Sequence, residues 1–217
     1  MTFFDRADAG RRLADRLQEQ SLVSPVILGL PRGGVPVAFE VATRLGAPLD
    51  VFVARKIGVP SQPELGMGAV AEGGTIVLTQ YLVDALQISE ATLGEITADA
   101  HKELERRVRQ YRGDRKLPRL EGRDVILIDD GLATGVTAEA SLRALLVHRP
   151  RRLVLAVPVS SREAAARLGK LAEVVCLLAP WEFVAVGAWY QKFDQTPEEK
   201  VLQLLDLARS SAATKGG

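Results

Sequence analysis

The chain contains no asparagine and, in 217 residues, only one cysteine, two histidines, two methionines and two tryptophans. A lone cysteine, Cys176, allows no internal disulfide and fits a reducing compartment. It lies in VVCLLA with no histidine near it in sequence, so it reads as a small buried hydrophobe rather than a nucleophile. His101 and His148 stand far apart, and no metal-ligand spacing surrounds them. No apolar run approaches the roughly 18 residues that a spanning helix needs. The opening MTFFDRADAGRRL is charged too early for a secretory leader. A net charge of +1 provides no global field for nucleic acid or membrane. The basic stretch from His101 to Arg123 is interleaved with Glu103, Glu105, Asp114 and Glu121 and carries no aromatic ladder, which describes a solvated face. The expectation is a soluble cytoplasmic protein with neither nucleic acid nor membrane as partner. The scarcity of Asn and Met, beside 21 Arg against 7 Lys, fits a heat-adapted source or a genome base bias.

What is present is a core and a rhythm. Hydrophobic residues make up 47% of the chain, enough for one large domain. Strand-like runs alternate with helix-like ones. Phe3 to Gln20 has helical spacing through Leu13, Ala14 and Leu17. PVILGL (residues 25–30) and LDVFVA (49–54) read as strands. AFEVATRLG, between them, reads as a helix ending near Gly46. Gly68 to Ala71 and Thr75 to Leu78 can pair as short antiparallel strands. Ser89 to Gly113 is a long helix with Leu93, Ile96, Ala100, Leu104, Val108 and Tyr111 as its stripe. Strands are expected at 152–157 and 173–178, with a capping box at Ser160 to Glu163 between them. Alternation of this kind predicts an α/β fold with a mainly parallel sheet and helices on both faces.

One stretch carries the chemistry. Residues 125–137 read VILIDDGLATGVT: an aliphatic strand, two carboxylates, then a turn rich in glycine and threonine ahead of a helix. Such a turn presents N–H groups to an anion. Thr134 and Thr137 can add hydroxyls. Adjacent carboxylates do not favour a bare phosphate; they make sense if the ligand carries hydroxyls beside its phosphate. The rival phosphate loop, G-x-x-x-x-G-K-[ST], is excluded because this turn has no lysine.

This stretch resembles the ribose-phosphate signature of the type I phosphoribosyltransferases, and the likeness extends over about residues 25–160. It implies that Asp129 and Asp130 hold the ribose hydroxyls of phosphoribosyl pyrophosphate (PRPP), while Ala133, Thr134, Gly135, Val136 and Thr137 hold its 5′-phosphate. The sequence departs from the pattern at Gly131, where the family usually has an aliphatic residue, and Ala133 supplies no third carboxylate. By the same resemblance, Arg32, Gly33 and Gly34 form the pyrophosphate loop, with a cis peptide expected between Arg32 and Gly33. Arg55 and Lys56 resemble an Arg-Lys pair that opens a mobile loop over PRPP and assists catalysis with Asp129 and Asp130. Glu64 and Glu72 are carboxylates within reach of such a loop. Mg²⁺ is implied as the companion of PRPP, with no direct protein ligand and a contact to Asp129 or Asp130 through water.

The last segment differs in character. Residues 181–193 hold Trp181, Phe183, Trp189, Tyr190 and Phe193, five of the eleven aromatic residues. A planar base buries well against such faces, so Trp181 and Phe183 are the expected base contacts. Trp189 and Tyr190 fit core or homodimer contacts. The expected organisation is a single domain over residues 1–209. Its core spans about 25–178, and the termini (1–22 and 180–209) form a small hood. A disordered tail is expected over 210–217. The implied activity transfers the phosphoribosyl group of PRPP to a nitrogen acceptor, a nucleobase for preference. The alternative is a regulatory protein that binds PRPP or a nucleotide without chemistry.

Overall fold

The computed structural model describes residues 2–60 and 62–215. Asp5 caps the first helix, α1 (Arg6–Gln18), its carboxylate accepting from the Asp8 N–H. The chain then runs through β1 (Val26–Gly29), α2 (Gly34–Leu45) and β2 (Leu49–Val51). Gly46 ends α2 in the left-handed region, at φ 63°, which a glycine adopts without penalty. There follow β3 (Ala54–Val59), β4 (Gln62–Ala71), β5 (Ile76–Leu78), α3 (Gln80–Ala85) and α4 (Glu90–Arg112). The second half holds β6 (Asp124–Ile128), α5 (Val136–Leu146), β7 (Arg152–Val159), α6 (Arg162–Leu168) and β8 (Glu173–Leu178). A 3-10 turn (Val186–Trp189) and α7 (Glu198–Lys215) close the chain.

Five strands form one parallel sheet in the order β2-β1-β6-β7-β8. Alternate residues point to opposite faces. Ile27, Ile126, Ile128, Val154 and Ala156 join α1, α2 and α7 on one side. Val26, Leu28, Val125, Leu127, Leu153 and Leu155 join α5 and α6 on the other. Because both faces are covered, the central strands read as continuous hydrophobic runs. Strand order reverses between β1 and β6, with Gly29 in register with Ile128. The two strands therefore end together, and the loops that follow lie side by side at the carboxyl edge, where open α/β sheets form their ligand crevice.

The region after β2 departs from expectation. The strand expected to reach Ala54 stops at Val51, and Arg55 and Lys56 lie within β3. The expected antiparallel pair is present as the end of β4 with β5, but the stretch before it, which read as a mobile loop, extends the same separate sheet as β3 and the start of β4. Pro and Gly suggested a loop, but β4 takes its order from β3 over a register that slips around Gly58. Arg112 anchors this arm to the parallel sheet. It is 3% exposed, donates to the Val51 carbonyl at 2.6 Å and pairs with both Asp50 and Glu72. Glu72 is thus a structural partner rather than a loop carboxylate, while the side chain of Glu64 lies outside the described residues. The expected disordered tail continues α7 as far as Lys215; residues 216 and 217 lie outside the described residues.

Candidate active site

Two turns meet at the reversal point. The first, Pro31 to Gly34, leaves β1. Its cis peptide is Pro31–Arg32, one bond earlier than expected. The N–H groups of Gly34 and Val35 close the turn onto the carbonyls of Leu30 and Arg32. Gly34 therefore contributes close packing rather than a free donor: a Cβ there would lie 2.5 Å from the Ile128 carbonyl oxygen. At Gly33 a Cβ would lie 2.0 Å from an Asp130 carboxylate oxygen. The glycines are required first because the acid turn passes directly against them.

The second turn begins with Asp129 and Asp130 at the end of β6. The Asp130 N–H donates to the Asp129 carboxylate at 2.9 Å. Burial and the neighbouring Asp130 charge push the Asp129 carboxyl well above the usual range. Burial also raises Asp130, but the Arg6 guanidinium opposes it. Arg6 is the residue that sequence reading missed. Its Nε lies 2.8 Å from Asp130 Oδ2, its Nη1 donates to the Asp194 carbonyl at 2.7 Å, and its guanidinium stacks 3.9 Å from the Phe193 ring centroid. Nothing in the sequence singles out one of 21 arginines 124 residues from its partner.

Beyond the acids, residues 133–137 form the expected turn. Gly135 sits at φ 69° and starts α5. The carbonyls of this turn are held from outside: Ser161 Oγ donates to Ala133 at 2.8 Å, and Arg167 donates to Thr134 while pairing with Glu139. Its N–H groups are not so engaged. Among the described residues, those of Ala133 through Ala138 donate to no protein acceptor. The result is an arc of backbone donors at a helix N-terminus, with Ala133 and Thr134 exposed. At Gly131 the departure has a physical reason. A Cβ there would come within 2.5 Å of Val186, so the place of an aliphatic side chain is filled from the C-terminal segment.

The terminal segments roof this edge. Phe3 and Phe4 exchange backbone bonds with Trp189, Gln191 and Lys192 at 2.8 Å, and Phe3 packs on Tyr190. The Tyr190 hydroxyl donates to the Asp130 carbonyl at 2.5 Å; burial raises its pKa, so it stays a donor. Phe183 is drawn into the small apolar cluster under this roof. Trp181, just past β8, is 85% exposed and carries Arg162 at 3.4 Å over its ring. Arg55 and Lys56 are not brought to the acids in the same way. They line a groove of about 530 Å³ bordered by Asp99 and Glu103 of α4.

Charge also indicates what the crevice can accept. Two half-buried carboxylates lie beside one guanidinium, which bonds Asp130, so the pair suits a ligand rich in hydroxyls or accompanied by a cation. The arc beside it suits a phosphate. Among the described residues, no cluster of three metal-ligating side chains exists.

TT1426 from Thermus thermophilus, a solved structure, is 47% identical, with a TM-score of 0.79 over 94% of this chain and 98% of that one. Rv0571c from Mycobacterium tuberculosis strain H37Rv, which carries a provisional phosphoribosyl transferase name, is 46% identical over 99% of this chain. The chain spans about half the length of that relative, 48%. The phosphoribosyl transferase domain model matches residues 4–191, from the N-terminal roof through Tyr190, and the chain therefore belongs to that family.

Proposed function

We propose that the chain is a PRPP-dependent phosphoribosyltransferase acting on a nitrogen acceptor, a nucleobase for preference. The observation that carries this reading is the unengaged N–H arc of residues 133–138 directly after two half-buried carboxylates. The arc takes the 5′-phosphate, and Asp129 and Asp130 accept from the ribose hydroxyls. Arg32 and the Gly33 N–H face the pyrophosphate. Arg55 and Lys56 reach it by movement of the β3–β4 arm. Mg²⁺ bound to PRPP supplies charge neutralisation of the departing pyrophosphate, and Asp129 or Asp130 would hold it through water.

The reaction joins the acceptor nitrogen to ribose C1 as the bond to pyrophosphate breaks. Charge is positive at the sugar and negative at the leaving group, so positioning and fixed charges supply the catalysis. The acceptor lies against the open face of Trp181, beside Phe183. Aromatic stacking on a base is worth about 1–3 kcal/mol. No described helix is long and apolar enough to cross a membrane.

The test is a panel of bases and amines incubated with PRPP and Mg²⁺, with pyrophosphate release as readout. Acceptor-dependent release supports the reading. Tight PRPP binding without release by any acceptor points to a regulatory protein instead, and absence of both removes the assignment.

A further inference from the structure

Asp130 is fixed by three parts of the chain that are remote in sequence. Arg6 of α1 holds Oδ2 at 2.8 Å, Tyr190 holds its carbonyl at 2.5 Å, and Gly33 lies directly against its carboxylate. Arg6 is itself fixed by the Asp194 carbonyl at 2.7 Å and by the Phe193 ring. Both partners of the ion pair are largely sequestered, with side-chain exposures of 12% and 15%. A pair so enclosed is screened less than a surface contact, and its geometry is dictated by the surrounding elements.

We infer that Arg6 is a positioning residue, fixing the Asp130 carboxylate for sugar recognition and tying it to the roof made by the two termini. The inference rests on the proposed PRPP-dependent function. With Oδ2 occupied by Arg6, Oδ1 is the oxygen left to meet a ribose hydroxyl. The guanidinium also opposes the burial that raises the Asp130 carboxyl, so the acceptor strength of that oxygen depends on it. Roof and sugar site are thereby coupled: a terminal segment out of place releases the carboxylate that recognises the sugar.

The test is calorimetric titration of Mg-PRPP into wild type, Arg6→Gln, Arg6→Lys and Arg12→Gln, with melting temperatures measured in parallel. Arg12 lies on the same helix, pairs with Asp8 and leaves Asp130 alone, so it controls for damage to α1. The expected result is a loss of about tenfold or more in affinity for Arg6→Gln. Arg6→Lys should recover part of it, and Arg12→Gln should match wild type. Equal or tighter binding by Arg6→Gln overturns the inference, because Arg6 would then only compete for the acid. Equal weakening by Arg12→Gln also overturns it, since helix integrity would then account for the loss. Failure of wild type to bind Mg-PRPP overturns the functional reading itself, and this inference with it.

Discussion

Burial and the Asp130 charge raise the Asp129 carboxyl, and the Asp130 N–H and Arg6 offset them only in part. A carboxylate raised in the folded state binds more protons there than in the unfolded chain, where its pKa is about 3.9. Its contribution to stability is therefore full below that value and is lost as pH rises through the raised folded pKa. Asp129→Asn removes this penalty. The variant should melt above wild type at pH 7–8, and the difference should shrink as pH approaches 4. A melting series across pH checks this, and a constant or inverted difference contradicts it. Gly33→Ala places a methyl 2.0 Å from an Asp130 carboxylate oxygen that Arg6 holds in place. Overpacking of this kind costs about 1–3 kcal/mol. Denaturant unfolding should show that loss, accompanied by weakened Mg-PRPP binding.

At the scale of elements, Gly131 and Val186 form a matched pair. Gly131→Val should destabilise by about 1–3 kcal/mol because its Cβ meets Val186 at 2.5 Å. Adding Val186→Ala should restore part of the loss, and a double-mutant cycle measures the coupling. If the two changes are additive, the shared space is not the cause. The turn and its helix were legible in VILIDDGLATGVT because strand run, glycine punctuation and helical spacing are local signals. The α4 boundaries were legible for the same reason, with Ser89 and Gly113 as its caps. The β4–β5 pairing was legible too, across its glycine turn, but the β3–β4 pairing was not, since its order comes from cross-strand partners and from Arg112, none of them adjacent in sequence. The reason for the Gly131 departure was not legible either, because Val186, which fills that space, comes from the C-terminal segment.

Across the whole molecule, the site joins the switch point of the sheet to a roof drawn from both ends of the chain. The expectation that the termini form a small hood was carried by resemblance. The side chains that make the contact, Arg6 and Tyr190, could not be read from periodicity. Trp181 lies at the same carboxyl edge, stacked on one face by Arg162. Trp181→Ala should raise KM for the acceptor about tenfold while moving KM for PRPP little, as expected from loss of one stacking face. Steady-state kinetics with the acceptor found in the panel checks this, and an equal rise in both constants removes Trp181 from the acceptor site.

Whether the acid pair binds PRPP is decided by calorimetric titration of Mg-PRPP into wild type and the Asp129→Asn/Asp130→Asn double variant. Wild type should bind saturably, and the folded double variant should lose at least about tenfold in affinity; equal affinity in the two proteins would remove the acids from the PRPP site.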